Sequence, residues 1–420
     1  MNDWFTLDNA AKVFPGQNTS TWSNVFRMTA VLYETIDPSR LSIAANNVIK
    51  RFPCFDVEIH KGLFWYYFEK NQYNHLPVNP DRNNPCLRIK FHENNRYLLR
   101  VFYHNNRISV EIFHALTDAF GLSRFLCTLV AEYLRLDGHK IPAGHAVLSL
   151  DEEATEDEMI DATAHFDKKS KGKIKNKNSG FYHVNGEKYP SHNVRVTTGF
   201  INMDDLKKVA KSYPVTITEY LASVLTYVVY QHQKHTTNTQ KIIGCQIPVN
   251  LRNFFNTKTL RNFSLCYQLN LDPKFGEYTF EEILQQLALN LRYINNEKTL
   301  NAMISSNIRK ENASRFIPLV IKDLFMGIFF GITAEHNTSI LLSNLGLLKI
   351  PKEMEPLVQK FIMIAPHGIK NAVRTAAIGY NGTLALSFTN IFKEDYVERE
   401  FFRFLVKKNI RVKVESNMDY

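Results

Sequence analysis

Twice in its 420 residues the chain repeats one local pattern: two β-forming segments around a short polar turn, then a brief loop, then an amphipathic helix. In the first instance residues 97–103 and 108–113 are rich in β-formers and flank His104-Asn105-Asn106-Arg107. Beyond a loop, Leu122, Phe125, Leu126, Leu129, Val130, Tyr133 and Leu134 recur at helical spacing. In the second instance residues 373–379 and 383–389 flank Tyr380-Asn381-Gly382, and residues 394–408 follow with a helical pattern. A hairpin feeding a helix is half of an α/β layer, so its recurrence implies two related α/β domains with divergent sequences. Length agrees, because a single hydrophobic core stops growing at roughly 250 to 300 residues.

The elements between these landmarks fill in the same picture. Residues 25–34 read as a strand, and Leu41, Ala45, Val48, Ile49 and Phe52 then share one face of a helix. From residue 151 an acidic block gives way to lysines at 168–177, with few large apolar side chains, so 151–193 is expected to be a loosely held linker. A strand at 195–202 reopens the pattern. Helices are signalled by Thr216 with Glu219 and by Thr279 with Glu282, pairs that suit reciprocal N-terminal capping, and strands are expected at 241–249 and 263–271. The expected domains are therefore 1–150 and 194–420, joined by the charged linker 151–193.

Composition narrows the function. The formal net charge is +10. The mixed block at 151–177 is itself slightly acidic, so the basicity belongs to the folded body. No run interleaves Arg or Lys with aromatics as a nucleic-acid module would, so the charge reads as a generally basic surface, the sharper alternative being that part of it attracts a small polyanion such as coenzyme A. The longest apolar run, 324–334, falls short of the ~20 residues of a membrane span. The first twelve residues lack the order of an export signal, and the five cysteines have no metal-knuckle spacing, so a reducing, cytoplasmic setting without a bound metal is expected. His232 and His235 sit in a polar tract that reads as a solvated helix end. Walker, dinucleotide, Gly-x-Ser-x-Gly and His-Glu-x-x-His signatures are missing from the sequence.

One segment carries chemistry. Phe113-His114-Ala115-Leu116-Thr117-Asp118-Ala119-Phe120-Gly121 sets a histidine at the end of the first hairpin and a carboxylate four residues later at a helix start. An imidazole titrates near neutrality, so it can take a proton from a hydroxyl or amine as that group attacks a thioester. The second hairpin has Thr389-Asn390 at the comparable place, so one copy alone keeps a base.

In this setting the segment resembles the HxxxDG motif of chloramphenicol acetyltransferases, peptide-synthetase condensation domains, BAHD acyltransferases and alcohol acetyltransferases. The resemblance extends to Arg51-Phe52-Pro53. It also takes in Ile247-Pro248-Val249-Asn250-Leu251-Arg252, Thr259-Leu260-Arg261-Asn262-Phe263 and Leu342-Ser343-Asn344-Leu345-Gly346, which are similar to segments of the alcohol acetyltransferase group. It implies an α/β (α+β) fold of two chloramphenicol acetyltransferase-like domains, each a mixed sheet flanked by helices, arranged as a pseudo-dimer with a central channel. It implies an O-acyltransferase with no bound cofactor, acyl-coenzyme A as co-substrate and a small-molecule hydroxyl acceptor.

By the same resemblance His114 is the general base, Asp118 holds the catalytic loop and Arg252 supports Asp118 through a two-pronged ion pair. Asn262, Ser264 and Ser343 are candidate donors to the oxyanion. Two alternatives stand beside this reading: a condensation-type enzyme using an acyl carrier protein and an amine, and an inactive fold that binds a partner. Ala119 keeps the second alternative open, because the family has glycine there. The BAHD Asp-Phe-Gly-Trp-Gly motif is missing, which argues against that branch.

Overall fold

The computed structural model describes residues 4–19, 22–166, 180–190, 193–323, 338–368 and 373–418. The lysine block at 168–177 and the apolar run at 324–334 lie outside them. The architecture is mixed α/β, with one sheet of five strands, one of seven and a small one of three. Val25–Leu32 is buried at all eight positions. It lies inside the five-stranded sheet, between Arg107–Phe113 and Val358–Ile364, and its apolar sequence suits cover on both faces.

The first hairpin forms as Leu99–His104 and Arg107–Phe113, with Asn105 at positive φ in the turn. Its helix is Ala119–Leu136, and all seven residues that set its expected apolar stripe are buried. That helix packs on Pro38–Val48, which Asp37 caps by accepting from Ser39 and Arg40 N–H.

The seven-stranded sheet contains the second hairpin, Val373–Tyr380 and Thr383–Asn390. Asn381 and Gly382 both take positive φ in its two-residue turn, as the right-handed twist of the flanking strands requires. The helix Tyr396–Lys407 follows. Asn390, the counterpart of His114, spends its amide on Glu394 O and Glu398, so it is a structural corner. Both capping pairs close as boxes, Thr216 with Glu219 on Ile217–Thr236 and Thr279 with Glu282 on Phe280–Ile294.

Two features depart from the sequence reading. The strand Val358–Ile364 crosses from the second half of the chain and pairs antiparallel with Val25–Leu32 at the edge of the first sheet. The acidic stretch 151–166 is also firmly anchored. Glu158 forms a two-pronged, buried ion pair with Arg51 at 2.9 and 3.0 Å, and Asp157 accepts from Thr257 and Lys258. Leu260 N–H donates to Glu158 O, and Ala162, Tyr182 and Val184 join the second core. Charges that find specific partners can anchor a segment with few large apolar side chains, which a count of such side chains misses.

Candidate active site

His114 continues the line of Arg107–Phe113 by one residue, its N–H donating to Asn24 O at 2.9 Å. The chain then turns, and Asp118 starts the helix. Asp118 Oδ1 accepts from the N–H groups of Phe120 and Gly121 at 3.1 and 3.3 Å. Its Oδ2 accepts from Arg252 Nη1 at 2.8 Å and from Phe263 N–H at 2.9 Å. Four accepted hydrogen bonds leave the carboxylate nothing to offer a substrate. It pins the loop that carries His114.

The expected clamp between Asp118 and Arg252 is present, but its form differs from a two-pronged fork. Only Nη1 meets the carboxylate. Nε donates to Thr259 O at 2.9 Å, and Nη2 donates to Arg261 O. The guanidinium also lies over the Phe120 ring, 4.5 Å from its centroid. Arg252 thus ties the 259–261 stretch to the base of the helix as well as neutralising Asp118, and both side chains are buried.

Ala119 causes no backbone strain, since it is absent from the residues at positive φ and starts a regular helix. The position that demands glycine is 121. A Cβ there would stand 2.2 Å from Leu260 O and 2.0 Å from Thr117 Oγ1. The close approach of the helix to the 259–261 stretch is therefore served by Gly121, two residues after Ala119.

The imidazole of His114 is sandwiched, stacked on Phe14 at 4.6 Å and tilted against Phe26 at 4.9 Å. Burial pushes its pKa below the usual histidine value, opposed by a backbone contact, by Asp118 and by Asn262. The ring is therefore neutral near pH 7, as a base must be. Its Nδ1 lies 3.0 Å from Asn262 Oδ1. Asn262 Nδ2 faces His114 O at 2.9 Å, a carbonyl that can only accept, so the amide oxygen is the atom turned toward the ring. An acceptor at Nδ1 places the ring proton there. Nε2 then keeps its lone pair, and no partner meets it among the described residues.

His114 opens onto a cavity of about 810 Å³ between the five- and seven-stranded sheets. Phe14, Phe26 and Ala119 line it from the first half of the chain, and Gln246, Asn250, Ser264, Ser343 and Arg374 from the second. Ser264 and Ser343 stand on this wall without a side-chain hydrogen bond among the described residues, so their hydroxyls are available. Asn262 is placed differently from a donor to the oxyanion. Both its amide hydrogens are engaged, by His114 O and Asp8, and it is 2% exposed. His232 is remote from the cavity, its Nδ1 2.7 Å from Tyr182 Oη.

Among the described residues no helix is long and apolar enough to cross a membrane. No protein-family model matches the chain, and no curated protein sequence does. Solved structures match over nearly its whole length. The Fusarium graminearum protein TRI101, solved with coenzyme A and deoxynivalenol, is 10% identical with a TM-score of 0.64, covering 97% of this chain and 99% of its own. Polyketide synthase associated protein 5 from Mycobacterium tuberculosis is 12% identical with a TM-score of 0.61, covering 96% of both chains. The starter condensation domain of rhizomide synthetase, solved as a mutant with C8-CoA and Leu-SNAC, is 12% identical with a TM-score of 0.58, covering 97% and 94%. At such identities the likeness is one of fold, and the chain has the two-domain chloramphenicol acetyltransferase-like, condensation-type architecture.

Proposed function

We propose that the protein transfers an acyl group, acetyl being the simplest, from acyl-coenzyme A to a hydroxyl acceptor by direct attack. The observation that carries this reading is the state of His114. Its Nδ1 faces the Asn262 acceptor, which leaves Nε2 as the nitrogen to take a proton, and the residue lines a cavity of about 810 Å³. Nε2 takes the hydroxyl proton as the oxygen attacks the thioester carbon, and the tetrahedral intermediate collapses with loss of the thiolate. The imidazolium returns the proton to sulfur, so the products are an ester and free coenzyme A. Asp118 and Arg252 are positioning residues that fix the loop. Ser343, on a strand interior to the seven-stranded sheet, is the better-held donor to the oxyanion, and Ser264 stands on its edge strand.

The coenzyme A-bound protein and the C8-CoA-bound condensation domain among the similar folds support a thioester donor. The test is thiol release from acetyl-coenzyme A with a panel of alcohols and amines, comparing wild type with folded His114→Ala. A drop of the ~10² to 10⁴ typical of a general base is expected, and equal turnover by the two proteins would remove His114 from the mechanism. Release with amines but not alcohols, or from a loaded carrier protein alone, would favour the condensation-type reading. Silence with every donor would favour the binding role.

A further inference from the structure

The base at His114 works only in the tautomer with its proton on Nδ1, a form favoured by two acceptors, the residue's own backbone carbonyl and the Asn262 amide oxygen. Behind Asn262 lies Asp8, a carboxylate at 0% exposure in the N-terminal segment. Asp8 Oδ2 accepts both from Asn262 Nδ2 and from Asn262 N–H, each at 3.2 Å, and Oδ1 accepts from Ala11 N–H at 2.7 Å. The charged or titratable groups facing it are Arg261, with Nε at 3.8 Å, and Asp161. Burial raises the pKa of Asp8 to about 7, against the lowering pull of Arg261. Packing alone does not call for this group, since an apolar residue of similar volume fills such a site at less cost. The same segment supplies Phe14, stacked on the His114 ring, and Thr6 O, which accepts from Arg261 Nη2.

We infer that Asp8 is a positioning residue for the reaction: acting through Asn262, it holds the His114 imidazole in the Nδ1-protonated form, so that the N-terminal segment is part of the catalytic base. This inference rests on His114 being that base. With Asp8 present, two acceptors, its Oδ2 and His114 O, hold the amide NH₂ away from the ring. Without it His114 O alone holds the amide, and the turned orientation, with NH₂ toward the ring, gains population. An NH₂ presented to Nδ1 drives the ring proton to Nε2, where it blocks proton abstraction. Placing the proton on the wrong ring nitrogen costs about 10⁴ in kcat in the serine-protease triad, which sets the upper end of the expected effect.

The test uses full-length protein labelled with ¹⁵N in its histidine rings. The His114 signals are identified by their loss in His114→Ala, and long-range ¹H–¹⁵N spectra at pH 8 report which nitrogen carries the proton. In wild type Nδ1 is expected to be protonated and Nε2 bare. In Asp8→Leu, which removes the acceptor altogether, the Nε2-protonated form should gain population and kcat should fall by about 10 to 10³, with KM changing less than threefold. Asn262→Leu should lose at least as much. Asn262→Asp, which keeps an acceptor at Nδ1, should recover at least tenfold over the leucine variant and move the acid limb of the pH profile upward. A merely structural role would lower folded yield in all three variants and leave tautomer and pH limb in place. Protonation of Nε2 in wild type overturns the inference and needs no variant, so misfolding cannot hide it. So does an unchanged tautomer in folded Asp8→Leu. Turnover that persists in His114→Ala instead defeats the base assignment, whatever the spectra show.

Discussion

Removing either partner of the Asp118–Arg252 pair should destabilise the protein far more than removing a surface ion pair, and the two losses should overlap. Asp118 accepts four hydrogen bonds, two of them capping the helix Ala119–Leu136. Loss of a cap is worth about 1 kcal/mol. Its absence also strands the Arg252 guanidinium, whose side chain is 5% exposed, and a stranded buried charge brings the total to about 3 to 5 kcal/mol. Arg252→Ala reaches a similar figure by a different route, because the carbonyls of Thr259 and Arg261 lose their donor along with Asp118. The double replacement leaves no stranded charge, so it should be milder than the sum by about 2 to 3 kcal/mol. Urea unfolding of the four proteins, with midpoints and slopes compared, measures the coupling. Additivity within about 0.5 kcal/mol would refute the view that the charges neutralise each other, leaving Asp118 as a helix cap alone.

Further outcomes follow from the same geometry. The kcat/KM profile should fall on the acid side with an apparent pKa below 6.5, because the folded pKa of His114 is lowered by burial and the neutral ring is the active form; a limb centred above 7 would contradict this. Gly121→Ala should destabilise by about 1 to 3 kcal/mol or more, since the new Cβ meets the backbone oxygen of Leu260, whereas Ala119→Gly should leave turnover within about threefold; both are read by unfolding and thiol release. Ser343→Ala should lower kcat by about 10² to 10³ with little change in KM, and by more than Ser264→Ala, if the interior strand holds the oxyanion donor; equal, small effects in steady-state kinetics would discount both hydroxyls.

What could be read in advance was whatever is encoded locally. The hairpin turns, the stripe from Leu122 to Leu134 and the two capping boxes all depend on residues a few positions apart, and each appears where its pattern places it. Asp118 and Arg252 lie 134 positions apart, and their contact could be anticipated only through the resemblance of two separate segments. Asp8 gave no signal at all. An aspartate in a polar N-terminal stretch is ordinarily solvated, and its burial is imposed by Asn262 and Arg261 from the other half of the chain. The anchoring of 151–166 was hidden for the same reason: the partner of Glu158 is 107 positions away. The strand Val358–Ile364 carries no mark of which sheet receives it, since edge pairing is decided by topology.

That crossing strand determines how the molecule can be taken apart. A fragment ending near residue 193 would lack Val358–Ile364, leaving Val25–Leu32 as a bare sheet edge with all eight residues otherwise buried. Such an edge, long and apolar, templates pairing with further copies of itself. The ladder also runs from Leu32 to Arg27 as a sewn seam between the halves, so prising them apart to admit a bulky acceptor would mean unzipping backbone hydrogen bonds. Widening the His114 cavity by moving the halves apart would therefore break this ladder, so the side chains on its walls set what it can admit.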